Sequence, residues 1–147
     1  MNATPTNDAV ERLVQFFEKL QPQDLPRLAQ MYAQDARFKD PFNEVQGLAA
    51  VQAIFAQMFR QLHEPRFVVT SCMAQGNEAF LAWSFHFRFR SHAPQVTQTI
   101  LGATHVRLGP DGRVVWHRDY WDAAEELYEK LPVVGSLMRW LKRRANS

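Results

Sequence analysis

The stretch "AFLAWSFHFRFR", residues 79–90, decides the fold because its polarity alternates from one residue to the next. Successive side chains of a β-strand point to opposite faces of the sheet. One face therefore receives aromatic side chains and the other polar ones: Trp83, Phe85, Phe87 and Phe89 against Ser84, His86, Arg88 and Arg90. A face with this many aromatic rings has to be covered, so the pattern predicts a strand with helices packed on one side.

Three further strands surround this one in the sequence. The segment "RFVVTSCMA" (66–74) precedes it across the turn signal "QGNE", which predicts a hairpin. The segments "QTILGATHVRL" (98–108) and "RVVWHRDYW" (113–121) follow, joined by the turn "GPDG". Together they predict a run of antiparallel strands.

Helical periodicity occupies the first half of the chain. Apolar residues from 10 to 20 fit one helical face, a short helix follows the capping residue Asp24, and the strongest periodicity runs from Leu48 to Leu62, where Pro65 forbids continuation. A short strand is predicted at about 36–40. Near the end, Asp122 and Glu125 form a capping box, and residues 137–144 predict a last helical segment.

This order of elements predicts an α+β fold, a curved antiparallel sheet with three N-terminal and central helices on its concave face. We expect one domain over residues 1–147, with 123–147 as its C-terminal helical extension. The composition agrees, since 46% of the residues are hydrophobic and eleven are phenylalanine.

Charge and cysteine content exclude several classes of protein. The net charge is +2 and basic residues are dispersed except in "LKRR" (141–144), so no nucleic-acid-binding stripe is predicted. The lone Cys72 excludes an internal disulfide and a cysteine-built zinc site within one chain. A polar N-terminal segment and the lack of a long apolar run predict a cytoplasmic protein.

The stretch "RFKDPFN" (37–43) places an acid beside apolar residues. In a strand, Phe38 and Asp40 share one face, where ionisation of a carboxylate is penalised unless something compensates. Asp40 has two interpretations: it begins a turn before Pro41, or it is an acid in a pocket. Asn43 likewise fits either a turn or the polar rim of a pocket.

The inward face of the last strand is open from composition alone. In the preceding strand the more apolar set includes Thr104, which is therefore predicted to point inward. In the last strand, one face carries Val115, His117, Asp119 and Trp121, and the other carries Val114, Trp116, Arg118 and Tyr120. If the first set points inward, several polar groups converge on an aromatic interior, as in small-molecule pockets.

The sequence resembles the nuclear transport factor 2-like superfamily, which includes steroid delta-isomerases, limonene-epoxide hydrolase and the SnoaL-like polyketide cyclases. The resemblance rests on "MYAQDARFKDPF…G" (31–47), "NEAFLAWSFHF" (77–87) and "THVRLGPDGRVVWHRDYWD" (104–122). It implies a cone-shaped α+β fold around a pocket. It implies no single function, because this fold hosts isomerases, hydrolases, cyclases and binding proteins.

The resemblance to the steroid isomerases assigns their proton-shuttling acid to Asp40. Their two oxyanion donors fall on Phe16 and Thr104, so both are missing or weakened, and ketosteroid isomerisation needs such donors. We therefore do not expect that reaction.

The resemblance to the cyclases implies that His117, Asp119 and Trp121 face the pocket, with Asp119 as an acid/base. The arginine used by epoxide hydrolases of this fold is not reproduced, since Arg107 and Arg118 fall on outward faces. A metal site of Asp40, His117 and Asp119 is chemically conceivable as a facial triad, but the family generally works without metal, and we predict none.

These observations predict an enzyme that acts on a hydrophobic small molecule by cofactor-independent acid/base chemistry. Asp40 would carry the proton, Asp119 would be its partner or the second acid, and His117 would orient or charge the pair. The predicted substrate-binding residues are aromatic or polar wall positions: Phe16, Phe38, Asn43, Phe55, Trp83, Phe85, Phe87, Thr104 and Trp121.

The alternative is a non-catalytic binding module for a lipid-like ligand or a protein partner. Trp116 and Tyr120, among arginines on the open sheet face, favour a homodimer through that face. The last helix, with Trp140 and a basic end, also fits contact with a membrane surface, although packing on the cone is preferred.

Overall fold

The computed structural model describes residues 5–91, 93–126 and 140–146. Six strands lie in this part of the chain: β1 (Tyr32–Lys39), β2 (Glu44–Gln46), β3 (Leu62–Gln75), β4 (Glu78–Phe89), β5 (Gln98–Leu108) and β6 (Val114–Tyr120). They form a single sheet in the order β2-β1-β6-β5-β4-β3. The predicted α+β class is confirmed.

The sheet is mixed, which differs from the antiparallel sheet predicted above. β1 pairs with β6 in parallel, whereas β1–β2, β3–β4, β4–β5 and β5–β6 are antiparallel. A parallel pair needs a long crossover connection, and here the chain between β1 and β6 supplies it through one helix and four strands. β2 has only three residues, too few for a periodic signal in the sequence.

The helices pack against this sheet. They are α1 (Pro5–Glu18), a 3-10 helix (Pro22–Arg27), α2 (Leu28–Met31), α3 (Leu48–Gln61) and the short α4 (Ala123–Glu126). α1 contacts β3, and α3 contacts both β1 and β3. Before α3, Gly47 has a φ of 105°, a backbone conformation that residues with a β-carbon rarely adopt.

The predicted inward face of β4 is confirmed, because Trp83, Phe85 and Phe87 are buried. In β6 the two predicted faces mix: Val114 and His117 are both buried, while Val115 is exposed. The reason is an irregularity in the pairing with β5, where Arg107 pairs with Trp116 but Leu108 pairs with Val114. One extra residue in β6 reverses the alternation before His117.

The other face of the sheet is open among the described residues. Phe80, Leu101 and Tyr120 are exposed there, and Arg118 stacks over the Tyr120 ring at 4.5 Å. Dimerisation through this face stays a prediction.

At the C-terminal end, Asp122 Oδ1 accepts a hydrogen bond from the Glu125 backbone, so the predicted cap is present. Residues 140–145 are helical, and Trp140 is half exposed. The segment 127–139 of the predicted extension, with the start of its last helix, lies outside the described residues. No described helix is long and apolar enough to cross a membrane.

Candidate functional site

A cavity of about 440 Å³ lies between the sheet, α1 and α3. Phe17 reaches it from α1 and Phe55 from α3, and their rings stack at 6.2 Å. Among the described residues, eight phenylalanine and two tryptophan side chains line it. Its size and apolar lining are those of a pocket for a small organic molecule.

Most of the predicted site residues line this cavity. They are the three proposed acid/base residues and eight of the nine wall residues: Asp40, His117, Asp119, Phe38, Asn43, Phe55, Trp83, Phe85, Phe87, Thr104 and Trp121. Phe16 does not line it, and Phe17 takes the place predicted for Phe16. Neighbouring residues of a helix are turned by about 100°, so Phe16 is buried beside Arg27, whose guanidinium lies 5.7 Å from its ring.

Asp119 is held in a chain of side-chain hydrogen bonds. The indole nitrogen of Trp83 donates to Thr104 Oγ1 at 2.7 Å, and the Thr104 hydroxyl donates to Asp119 Oδ1 at 2.6 Å. His117 Nε2 lies 2.7 Å from the same Oδ1, and His117 Nδ1 lies 2.7 Å from the Tyr32 hydroxyl. Thr104 and His117 are buried, and the Asp119 side chain is 18% exposed.

Donor and acceptor chemistry gives this chain a direction. An ionised carboxylate only accepts, so both Thr104 and His117 Nε2 must donate to Asp119 Oδ1. With a neutral ring, His117 Nδ1 then accepts from the Tyr32 hydroxyl. Burial, and next the negative charge of Asp119, raise the pKa of Tyr32 well above its usual value, so the phenol keeps its proton.

Tyr32 is the member of this hydrogen-bond chain that the sequence did not assign to the site. Its ring is fully buried and stacks 5.9 Å from the His117 ring. A buried tyrosine hydroxyl needs a partner, and that rule could have linked Tyr32 to a buried polar residue. The sequence suggested only a core position for Tyr32, and β1 begins four residues earlier than its pattern predicted.

Only one of the two carboxylate oxygens of Asp119 is used in this chain. Among the described residues nothing donates a hydrogen bond to Oδ2. Since Asp119 lines the cavity, Oδ2 is the oxygen that can contact a ligand.

Asp40 lies at the same end of the cavity but is held differently. Phe38 pairs with His117 and Lys39 with Arg118, so the parallel register brings Asp40 level with Asp119. Its Oδ1 accepts from the backbone nitrogens of Phe42 and Asn43 at 2.8 and 2.7 Å. The Asn43 amide donates to both carboxylate oxygens, at 3.1 and 3.2 Å. Both interpretations of Asp40 therefore apply, since it closes a turn and lines the pocket.

The same turn carries an aromatic ring to the edge of the cavity. Phe42 is 52% exposed, and its ring meets that of Trp121 edge to face at 5.5 Å. Trp121 follows Asp119 by two residues, as Phe42 follows Asp40. Two carboxylates and two rings thus form one end of the cavity, which we call the carboxylate end: Asp40, Phe42, Asn43, Asp119 and Trp121.

The described residues thus form a mixed sheet with helices around an aromatic cavity that carries two carboxylates. The chain belongs to the SnoaL-like domain family, whose model matches residues 13–117. The carboxylate of Asp119 and the ring of Trp121 lie just beyond the matched segment. No curated protein matches the chain significantly.

Solved structures identify the fold as nuclear transport factor 2-like. A proposed SnoaL-like polyketide cyclase from Jannaschia sp. CCS1 is similar at a TM-score of 0.71 and 17% identity, covering 85% of this chain and 93% of that one. An LEH-like epoxide hydrolase from M. tuberculosis is similar at a TM-score of 0.66 and 13% identity, with 83% and 86% covered.

A third structure is of a hypothetical protein with a ketosteroid isomerase-like fold from Catenulispora acidiphila, in complex with trimethylamine. It is similar at a TM-score of 0.68 and 15% identity, with 81% and 88% covered. At these identities each likeness establishes the fold alone.

Proposed function

We propose that this protein is a small-molecule enzyme that acts on a hydrophobic substrate by acid/base chemistry, with Asp119 as the proton-transfer group. The observation that carries the proposal is the asymmetry of the Asp119 carboxylate. Oδ1 is fixed by Thr104 and His117, while Oδ2 has no partner among the described residues. A general base needs such an oxygen within reach of the substrate.

The proton-carrying role moves from Asp40, where the sequence suggested it, to Asp119. Asp40 Oδ1 already accepts three hydrogen bonds and Oδ2 accepts one, all from its own turn. The proposed role of Asp40 is therefore to bind and orient the substrate opposite Asp119.

In this proposal His117 and Tyr32 are positioning residues that support Asp119; His117 lines the cavity and Tyr32 does not. Because the Asp119 carboxylate only accepts, His117 Nε2–H donates to Oδ1, and with a neutral ring the Tyr32 hydroxyl donates to Nδ1 and stabilises that tautomer. When Oδ2 takes a proton from the substrate, both hydrogen bonds to Oδ1 stay in place. The carboxylate thus keeps its orientation through the transfer, which is the preorganisation that proton-transfer sites require.

Ketosteroid isomerisation is not the proposed reaction. Two positions match its oxyanion donors. Phe16 does not line the cavity, and the Thr104 hydroxyl already donates its hydrogen bond to Asp119. SnoaL-like cyclisation and epoxide hydrolysis are the reaction types to test first.

The test is turnover, measured by mass spectrometry, of a panel of hydrophobic carbonyl compounds and epoxides that includes both neutral and amine-bearing members. We expect Asp119→Asn to lower kcat/KM by about 10²- to 10⁴-fold, the usual contribution of a general acid or base. Asp40→Asn can still close its turn and should mainly raise KM. The control is Asp35→Asn, a removal of the same charge at an exposed position of β1.

Equal turnover by Asp119→Asn and Asp35→Asn would refute the proton-transfer role. A non-catalytic binding module is the remaining class, and it predicts a co-purifying apolar ligand in native mass spectrometry with no turnover of any panel member.

A further inference from the structure

We propose that the ligand of this cavity carries a positive charge, as a protonated amine or quaternary ammonium group attached to an apolar body. This inference deepens the function proposed above and rests on it for the location of the site. The cation would lie at the carboxylate end, and the apolar body among the rings further in.

The charges on the cavity wall are the first observation. Asp40 and Asp119 both line it, whereas no lysine or arginine does so within the described part of the chain. Among the described residues, His117 is the other titratable group on the wall. Whether its ring is neutral or protonated, the two ionised carboxylates give the described wall a net negative charge.

The basic residues next to these acids point the other way. Lys39 precedes Asp40 and pairs with Glu44 at 3.2 Å. Arg118 precedes Asp119 and stacks on Tyr120 at 4.5 Å. The sheet thus places cations on its outer face and carboxylates in the cavity, although the chain as a whole carries a net charge of +2.

The Asp119 carboxylate is the second observation. Its side chain is 18% exposed, Oδ1 accepts two hydrogen bonds, and the described residues give Oδ2 no donor. The His117 ring beside it is a counter-charge only when it is protonated. A carboxylate that is partly removed from water gains from a further charge partner and donor. An ammonium ligand would supply both the charge and, when protonated, the N–H donor, whereas an anionic ligand would be repelled.

The aromatic rings beside the carboxylates are the third observation. The faces of tryptophan and phenylalanine rings attract cations within about 6 Å. Trp121 and Phe42 meet at 5.5 Å beside Asp119 and Asp40. Carboxylates and ring faces together favour an organic cation over a neutral group of equal size.

The donor set argues against a metal ion as this cation. Within residues 5–91, 93–126 and 140–146, no three His, Cys, Asp or Glu side chains are arranged to hold one. Phenylalanine and tryptophan provide no metal ligand.

The experiment compares three probes with one apolar body and different charges: phenylbutylammonium, phenylbutanol and phenylbutanoate. Binding to the full chain is measured at neutral pH and low salt by calorimetry, with quenching of tryptophan fluorescence as a second readout. We expect the ammonium to bind at least about tenfold more tightly than the alcohol, and the carboxylate to bind more weakly than the alcohol.

Variants locate the effect. Asp40→Asn and Asp119→Asn should each lower the affinity ratio of ammonium to alcohol by about threefold or more. Asp35→Asn should leave the ratio as in the wild type. Because the probe series on the wild-type chain is decisive by itself, a variant that fails to fold does not remove the test.

The inference is wrong if the alcohol binds as tightly as the ammonium, if the carboxylate binds more tightly than the alcohol, or if none of the three binds. These outcomes are separate from the turnover test. A strong preference for ammonium with no turnover of any panel member would refute the proposed enzymatic function and support the proposed ligand class. Turnover that depends on Asp119, with no preference for ammonium, would support the enzymatic function and refute the ligand class.

Discussion

Replacement of Thr104 by valine tests the hydrogen-bond chain that holds Asp119. The two side chains have nearly the same shape, but valine has no hydroxyl. The change removes the acceptor of the Trp83 indole N–H, 2.7 Å away, and the donor to Asp119 Oδ1, 2.6 Å away. Both lost contacts lie in the interior, since Thr104 and Trp83 are buried.

The magnitude follows from these two contacts. A buried N–H left without an acceptor costs about 1–3 kcal/mol, and a hydrogen bond to a charged group contributes about 1.5–3 kcal/mol. The added methyl group returns about 1 kcal/mol. We expect Thr104→Val to lower the free energy of unfolding by about 3 kcal/mol, which corresponds to a fall in Tm of roughly 10 °C for a chain of this size.

The assay is urea unfolding followed by circular dichroism, with Thr104→Ser as the matched control. Serine keeps the hydroxyl and loses one methyl group, so its cost should be about 1 kcal/mol. If the Thr104→Val protein is at least as stable as the Thr104→Ser protein, the hydrogen bonds of Thr104 do not stabilise the fold, and the proposed hydrogen-bond chain is incorrect.

Two further substitutions test neighbouring parts of the site. The pKa of Tyr32 is raised in the folded chain, so above about pH 10 only the unfolded chain releases this proton. The free energy of unfolding should therefore fall by about 1.4 kcal/mol per pH unit from pH 10 toward the folded pKa. Tyr32→Phe should lack this part of the slope in urea unfolding at pH 9–11, and equal slopes for the two proteins would contradict the assignment. A β-carbon at Gly102 would lie 2.4 Å from the Trp83 ring. Gly102→Ala should therefore displace the indole, shift its fluorescence and lower the free energy of unfolding by about 1–3 kcal/mol. An unchanged emission spectrum and melting curve would refute that contact.

The sequence predicted the parts of the fold that depend on local patterns. The alternation around Trp83 and the periodicity of α3 each specify one face, and burial of that face follows from the hydrophobic effect. The parallel pairing of β1 with β6 has no local signature, because it depends on where a long crossover returns the chain.

The candidate site was predictable residue by residue but not as a network. Alternation and resemblance together placed Asp119 and Thr104 on the inner face, yet no sequence pattern specifies that both bond the same oxygen. Phe16 was predicted to line the pocket, but the next residue, Phe17, does so, because neighbouring helix residues are rotated by about 100°. Tyr32 was missed because its partner, His117, is 85 residues away.

The composition of the network fits the role proposed for Asp119 better than a role in stability alone. Thr104 and His117 are the buried polar residues of the described core, and every buried side-chain nitrogen and oxygen there has a partner. A buried charged network is commonly no more stabilising than apolar side chains of similar volume, so packing alone gives no reason to place it among so many aromatic rings. What an apolar replacement could not provide is a carboxylate oxygen held in a fixed orientation at the cavity wall. The network therefore makes physical sense when Asp119 Oδ2 has a ligand to bind or a proton to accept.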